Sequence, residues 1–278
     1  MEIPSLVTVD WLSEHLDHPD LIVLDATLAK PKSAGQQLAN AEDQIPGARF
    51  FDIDNRFSDT SVDLPHMMCD ELQFQEAAQE LGINNDSILV VYDQHGVYSS
   101  PRAWWMLKSM GHQNVAVLDG GLPAWVQKGY HIEKKGTAGI ADGDFSAAFD
   151  SKCFVDSSAV LASVEDQSTS VLDARSKGRF EGTAPEPRAG LRGGHIPNSV
   201  SLPFTEVLDG YFLKSEAALK SIFTTFQLEN KQLIFSCGSG LTACIILFAA
   251  HRAGYDHLAV YDGSWTEWGQ SQTLPITK

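Results

Sequence analysis

The chain has 278 residues, 43% of them apolar and 20% charged, and a formal net charge of −16. That length accommodates two domains, each able to bury a core of its own. The acidic balance disfavours nucleic acid and anionic lipid as partners, and no apolar run reaches the roughly 18 residues that a membrane span needs. In chain order, Thr8 and Asp10 open a helical stretch over 11–16, and the apolar run 21–25 ends in Asp25, as a buried strand does. The turn Ile45-Pro46-Gly47-Ala48 precedes a short extended run, 49–51. A strand over 87–92 leads through the loop after Asp93 into an apolar helix, 103–110, closed by Gly111. A last strand, 115–118, runs into Asp119-Gly120-Gly121, with Trp125 beyond.

The same signals then return in the same order. Asp156 and Ser157 open a helix over 158–164, the run 170–173 ends in Asp173, and His195-Ile196-Pro197-Asn198-Ser199 precedes an extended run, 200–202. The run 232–235 leads into helix 243–253, closed by Gly254, and 258–261 leads into Asp262-Gly263-Ser264 and Trp268. Such self-similarity means two copies of one α/β domain, each a mainly parallel sheet flanked by helices. The expected boundaries are 1–133 and 152–278, joined by a linker, 134–151, that is rich in Gly and Ala and lacks periodicity.

Chemistry concentrates in Ser236-Cys237-Gly238-Ser239-Gly240-Leu241-Thr242-Ala243. Strand, tight loop and buried helix place Cys237 at the carboxyl end of a strand, beneath helix N–H groups that favour an anion. Gly238 and Gly240 can take φ > 0, letting successive N–H groups curl into a nest around a thiolate. A cysteine that merely packs is the plain alternative, but packing does not require two neighbouring glycines. Counting back from Trp125 and Trp268 puts Gln94 at the position of Cys237 in the first copy, where the thiol and the second glycine are absent. One active and one supporting copy follow, with substrate expected in the cleft between them. Cys244 lies on the buried helix, Cys69 and Cys153 have no basic neighbours, and the tryptophans are expected in the cores. Scattered cysteines without C-x-x-C spacing argue against a disulfide scaffold or a zinc site and for a reducing compartment. The start, Met1-Glu2-Ile3-Pro4-Ser5, is unlike a secretory signal, so a cytoplasmic location is expected.

Over essentially the whole chain the pattern resembles the tandem-domain rhodanese family of sulfurtransferases. The resemblance rests on the repeated strand-end aspartate, the His-Ile-Pro turn, the single Cys237 loop and the paired Asp-Gly and Trp endings. The loop Cys237-Gly238-Ser239-Gly240-Leu241-Thr242-Ala243 is similar to that of the family's 3-mercaptopyruvate branch, with Leu241 in place of the usual Val. The thiosulfate branch places basic residues directly after the cysteine. The resemblance implies two rhodanese-like domains and sulfur transfer from 3-mercaptopyruvate through a Cys237 persulfide, with release of pyruvate. The acceptor would be cyanide, a small thiol or reduced thioredoxin, with no cofactor and no metal.

It further implies that Arg179 and Arg188, in a stretch matching the family's G-R-F…E-P-E-P-R, hold the substrate's carboxylate and ketone oxygens. Planar guanidinium forks suit a 2-keto acid. An ion pair with Glu181 or Glu186 is the structural alternative for either arginine, while Arg175, Arg192 and His195 are expected to be structural. Asp54, His66 and Ser239 would form a proton relay, an imidazole near neutrality being able to shuttle protons. Against that stands a loop histidine making a structural bond. The loop N–H groups from Gly238 through Ser239, Gly240, Leu241 and Thr242 to Ala243 would hold the anionic sulfur and the substrate. The rivals are thiosulfate:cyanide transfer and a non-enzymatic persulfide carrier. A cysteine phosphatase is disfavoured, because the arginine its loop requires is replaced by Ala243.

Overall fold

Buried apolar runs flanked by amphipathic helices give two sheets, each closed on both faces. The computed structural model describes residues 1–28, 42–136 and 139–278, and these divide into two units. The first unit comprises Met1–Ser58, Cys69–Phe149 and Gly210–Leu213; the second comprises Asp59–Met68, Asp150–Asp209 and Lys214–Lys278. Each therefore includes a short segment from the opposite half of the sequence.

In the first unit the strands are β1 (Leu6–Val7), β2 (Leu21–Asp25), β3 (Asp43–Gln44), β4 (Arg49–Phe50), β5 (Ile88–Tyr92), β6 (Val115–Leu118) and β7 (Glu133–Lys134). Five of them form a parallel sheet in the order β1-β6-β5-β2-β4, and β3 pairs antiparallel with β7. The helices are α1 (Val9–His15), α2 (Glu71–Glu80), α3 (Ser100–Ser109) and α4 (Gly121–Gln127). β5 is buried at every residue, the pattern of a central parallel strand covered on both faces. Thr8 caps α1 by accepting the Trp11 N–H at 3.1 Å. α2 escapes the sequence reading because its buried face is only Phe74, Ala77 and Ala78 on an otherwise polar helix. Of the expected linker, Thr137 and Ala138 lie outside the described residues. Gly143 and Phe145 run along the first unit, donating to Gln79 O at 2.8 Å and Ile83 O at 3.0 Å.

The second unit repeats the plan. Its strands are β8 (Phe154–Val155), β9 (Thr169–Asp173), β10 (Val200–Ser201), β11 (Leu208–Asp209), β13 (Gln232–Ser236) and β14 (Leu258–Tyr261), while β12 (Phe212–Leu213) counts with the first unit. The parallel sheet runs β10-β9-β13-β14-β8. The helices are α5 (Ser157–Ser163), α6 (Lys177–Phe180), α7 (Glu216–Thr224), α8 (Ala243–Ala253) and α9 (Ser264–Gln270). α8 is buried except at His251 and Arg252 and ends on Gly254 at φ +98, as its composition predicts. Trp104, Trp125, Trp265 and Trp268 are all fully buried, in the cores where tryptophan was expected. Among the described residues no helix is long and apolar enough to cross a membrane.

Candidate active site

β13 is the central strand of the second sheet, and Cys237 follows it directly, 1% exposed, with α8 rising from the far end of the loop. The loop is tied down from α9. Ser264 Oγ accepts the N–H of Cys237 at 3.2 Å and of Gly240 at 3.0 Å, and gives its own proton to Tyr261 O at 2.8 Å. Trp265 N–H donates to Cys237 O at 3.0 Å, and Thr266 donates to Gly238 O from both N and Oγ1, at 2.9 and 2.6 Å. The N–H groups of Gly238, Ser239, Leu241 and Thr242 meet no acceptor among the described residues. These unpaired donors, next to the start of a helix, provide for an anion at this end of the sheet. Ser264 stands at φ +49, a conformation that side chains rarely adopt and that functional loops retain when neighbours hold it. Sequence reasoning missed Ser264 and Thr266. The available signal was the replacement of Gly121 by Ser264 in an otherwise repeated turn.

The two loop glycines serve different ends. Gly240 is at φ +74, as expected, but Gly238 is not in the left-handed region. A Cβ there would lie 3.3 Å from Arg179 Nη2, a tight contact, and 3.7 Å from Arg188 Nη1, an ordinary one. Two guanidinium groups thus converge on the residue after Cys237.

Arg179 sits on α6 and donates from Nε and Nη2 to Glu186 Oε2, at 3.1 and 2.6 Å. The ion pair weighed against substrate binding therefore exists, and the same guanidinium still faces Gly238. The Glu186 side chain is buried, and its other oxygen takes Arg175 Nη1 at 2.8 Å. Arg175 also forks onto Asp173, donates to Gly194 O and lies 4.0 Å from the Trp265 ring. Arg192 donates to the carbonyls of Gly269, Trp268 and Leu274. Both of these arginines are occupied in holding the fold. Arg188 is exposed, with no ion pair or hydrogen bond among the described residues.

His66 belongs to the second unit by its contacts, although it comes from the first half of the sequence. Its Nδ1 lies 3.0 Å from Ser239 Oγ and 3.3 Å from Ser239 O. Its backbone is at φ +63. Asp54 is an exposed residue of the first unit, on the turn after β4. His195 stacks on Phe180 with ring centroids 3.8 Å apart and its Nδ1 is 2.9 Å from Phe180 O, a structural place. Cys244 donates to Gly240 O at 3.2 Å from within α8.

Sheet register corrects the pairing of the two loops. Asp25 pairs with Tyr92 as Asp173 pairs with Ser236, so the following residues, Asp93 and Cys237, are counterparts. Leu122 N–H donates to Asp93 O at 3.1 Å just as Trp265 donates to Cys237 O. The counterpart of Cys237 is Asp93 and not Gln94, and Gly96 at φ +108 matches Gly240. The first copy is one residue longer between loop and tryptophan, which misplaces a count made from the tryptophans. Asp93 is fully buried. Its Oδ2 accepts the N–H groups of Tyr98, Ser99 and Ser100 at 2.8, 3.0 and 3.0 Å and the Ser100 hydroxyl at 2.7 Å, while Oδ1 accepts the His95 N–H at 2.8 Å.

Known proteins share the fold and much of the sequence. The model of the rhodanese-like domain matches residues 8–128 and 157–271. The chain is 39% identical to the 3-mercaptopyruvate sulfurtransferase of Escherichia coli K12, over 99% of both chains. It is 38% identical to the mitochondrial thiosulfate/3-mercaptopyruvate sulfurtransferase 1 of Arabidopsis thaliana, covering 98% of this chain and 77% of that one. Among solved structures, SseA from Escherichia coli, a 3-mercaptopyruvate sulfotransferase of rhodanese fold, superposes with a TM-score of 0.83 at 36% identity. That match covers 95% of this chain and 99% of the other.

Proposed function

From the premise that the chain belongs to the rhodanese family, with two rhodanese-like domains, we propose that its second copy carries sulfur from 3-mercaptopyruvate on Cys237. The chain is a 3-mercaptopyruvate-dependent sulfurtransferase. One observation supports this placement of the chemistry above others: two guanidinium groups meet at Gly238, beside a buried thiol under unpaired N–H groups.

The Cys237 thiolate attacks the thiol sulfur of 3-mercaptopyruvate. The new S–S bond forms as the substrate C–S bond breaks, and that bond's electron pair enters the enolate of pyruvate. The persulfide keeps the substrate's thiol proton, which passes through Ser239 and His66 to the enolate carbon, leaving the persulfide anion and pyruvate. The loop N–H groups stabilise sulfur as thiolate and as persulfide without rearranging. Arg179 and Arg188 hold the carboxylate and ketone oxygens, and they gain most as charge gathers on the enolate oxygen. Asp54 is the acid of the proposed relay on the strength of the family resemblance alone. The outer sulfur then passes to cyanide, a small thiol or reduced thioredoxin. Such a free thiol requires a reducing compartment, and we place the reaction in the cytoplasm.

Cys237→Ser is expected to abolish pyruvate release, and substrate without acceptor is expected to add one sulfur to the Cys237 peptide in mass spectrometry. Turnover by the serine variant would refute the assignment. With thiosulfate the turnover is expected to be at least about tenfold slower, because Gly238 supplies no side-chain cation for a dianion. Faster turnover with thiosulfate would make it the donor instead.

A further inference from the structure

We propose that Asp262 is a positioning residue for His66, holding the imidazole against Ser239 through the backbone of the segment that carries it. Asp262 follows β14 and is 5% exposed. Its Oδ2 accepts the Met68 N–H at 2.6 Å, two residues beyond His66. A second closure, Asp59 N–H to Met67 O at 2.8 Å, fixes the other side of the same segment. Inside the Asp59–Met67 closure and two residues before Met68, His66 adopts φ +63, a left-handed conformation that a residue with a side chain keeps only when its surroundings determine it.

An independent observation comes from the first unit. Asp119, the counterpart of Asp262 after β6, accepts the Leu213 N–H at 3.0 Å. Two residues before Leu213 stands Tyr211, as His66 stands two before Met68. Tyr211 packs on Gly96, filling the space where a Cβ would lie, and its hydroxyl donates to Gln127 Oε1. The same carboxylate-to-backbone tie thus appears in both units. In one it brings a tyrosine down on the loop of Asp93, and in the other it brings a histidine to the loop of Cys237. The tie is common to both copies, and the residue it presents decides whether proton transfer is available.

This inference rests on the relay reading of His66 and Ser239. In the full-length protein, Asp262→Ala is expected to lower kcat with 3-mercaptopyruvate by about tenfold to a hundredfold, the scale of a misplaced proton-transfer group, with KM nearly unchanged. His66→Ala is expected to show the same loss, and the double variant no more than either alone. Asp262→Asn keeps an oxygen acceptor for Met68 and is expected to restore kcat to within about threefold of the parent. Asp119→Ala removes the corresponding tie in the first unit and is expected to leave kcat unchanged. Unchanged kcat in Asp262→Ala, losses that add in the double variant, or a large loss in folded Asp262→Asn would each overturn the proposal. If Asp262→Ala does not fold, the Asn variant still decides it. An unaffected His66→Ala would instead defeat the relay reading itself.

Discussion

The loops that follow β5 and β13 are the same structure put to opposite uses. Each leaves the carboxyl end of a central parallel strand, turns on a left-handed glycine (Gly96 or Gly240) and enters a helix. In the first loop the carboxylate of Asp93 accepts the N–H groups at the start of α3. In the second, Cys237 takes the place of that carboxylate and several loop N–H groups have no acceptor among the described residues. An anion-binding turn can therefore be retired by supplying its anion from within, and the donors then stabilise the fold instead of a reaction. Glycine usage follows the same division. The left-handed glycine survives in both loops because the turn requires it, whereas Gly238, which is not left-handed, occurs only in the loop that two arginines approach.

The largest test of this equivalence exchanges the anions. Cys237→Asp is expected to remove turnover completely while leaving the unfolding midpoint no lower than the parent's, since a carboxylate in the second loop meets the donors that one meets in the first. Destabilisation by more than about 2 kcal/mol in urea unfolding would break the comparison. Asp93→Ala is expected to do the reverse, costing about 3 kcal/mol or more of stability by orphaning buried N–H groups. Its kcat/KM in the folded protein is expected to stay near that of the parent, and a large loss of activity would show that the first loop is not retired.

A smaller effect concerns α3, the helix that stands on Asp93. Just beyond its end, buried His112 lies with Nε2 3.3 Å from Asn84 O and its ring 5.6 Å from Phe145. Burial holds this imidazole below its ordinary value of 6.5. The folded protein thus favours the neutral ring, and the stability it contributes is present above that value and lost as the pH falls toward the folded value. Thermal unfolding is expected to show a decline in acid that His112→Gln flattens. A parallel decline in both proteins would assign it to other groups.

Much of this was legible because it was written twice. Strand, turn and helix-end signals recur in the same order, and repetition identified strands as short as β4 and β10, which composition alone would not support. The Cys237 loop stood out because a cysteine followed by two glycines within three residues, after an apolar run, has few structural uses. What stayed hidden depends on distance in space. The acceptor role of Ser264 and the bond from Asp262 to Met68 join residues far apart in sequence, and neither leaves a local pattern. α2 was not anticipated, since a helix with so few buried residues carries little periodic signal. α7 was not anticipated either, although Leu219 and Phe223 stand four residues apart on its buried face. The slip between Gln94 and Asp93 arose from a one-residue difference in length, which only sheet register resolves.

Ser264 has one proton and two lone pairs, and all three are committed: the proton to Tyr261, the lone pairs to Cys237 and Gly240. Its hydroxyl therefore has nothing left to offer a ligand, and beside the guanidinium groups of Arg179 and Arg188 the attraction at the loop comes from peptide groups. Peptide dipoles have no titration curve, and buried ones are little weakened by dissolved salt. A protein with a net charge of −16 can in this way keep a steady local preference for negative sulfur. Dissolved salt acts mainly on the exposed Arg188, so it is expected to weaken the proposed capture of substrate before it disturbs the thiolate.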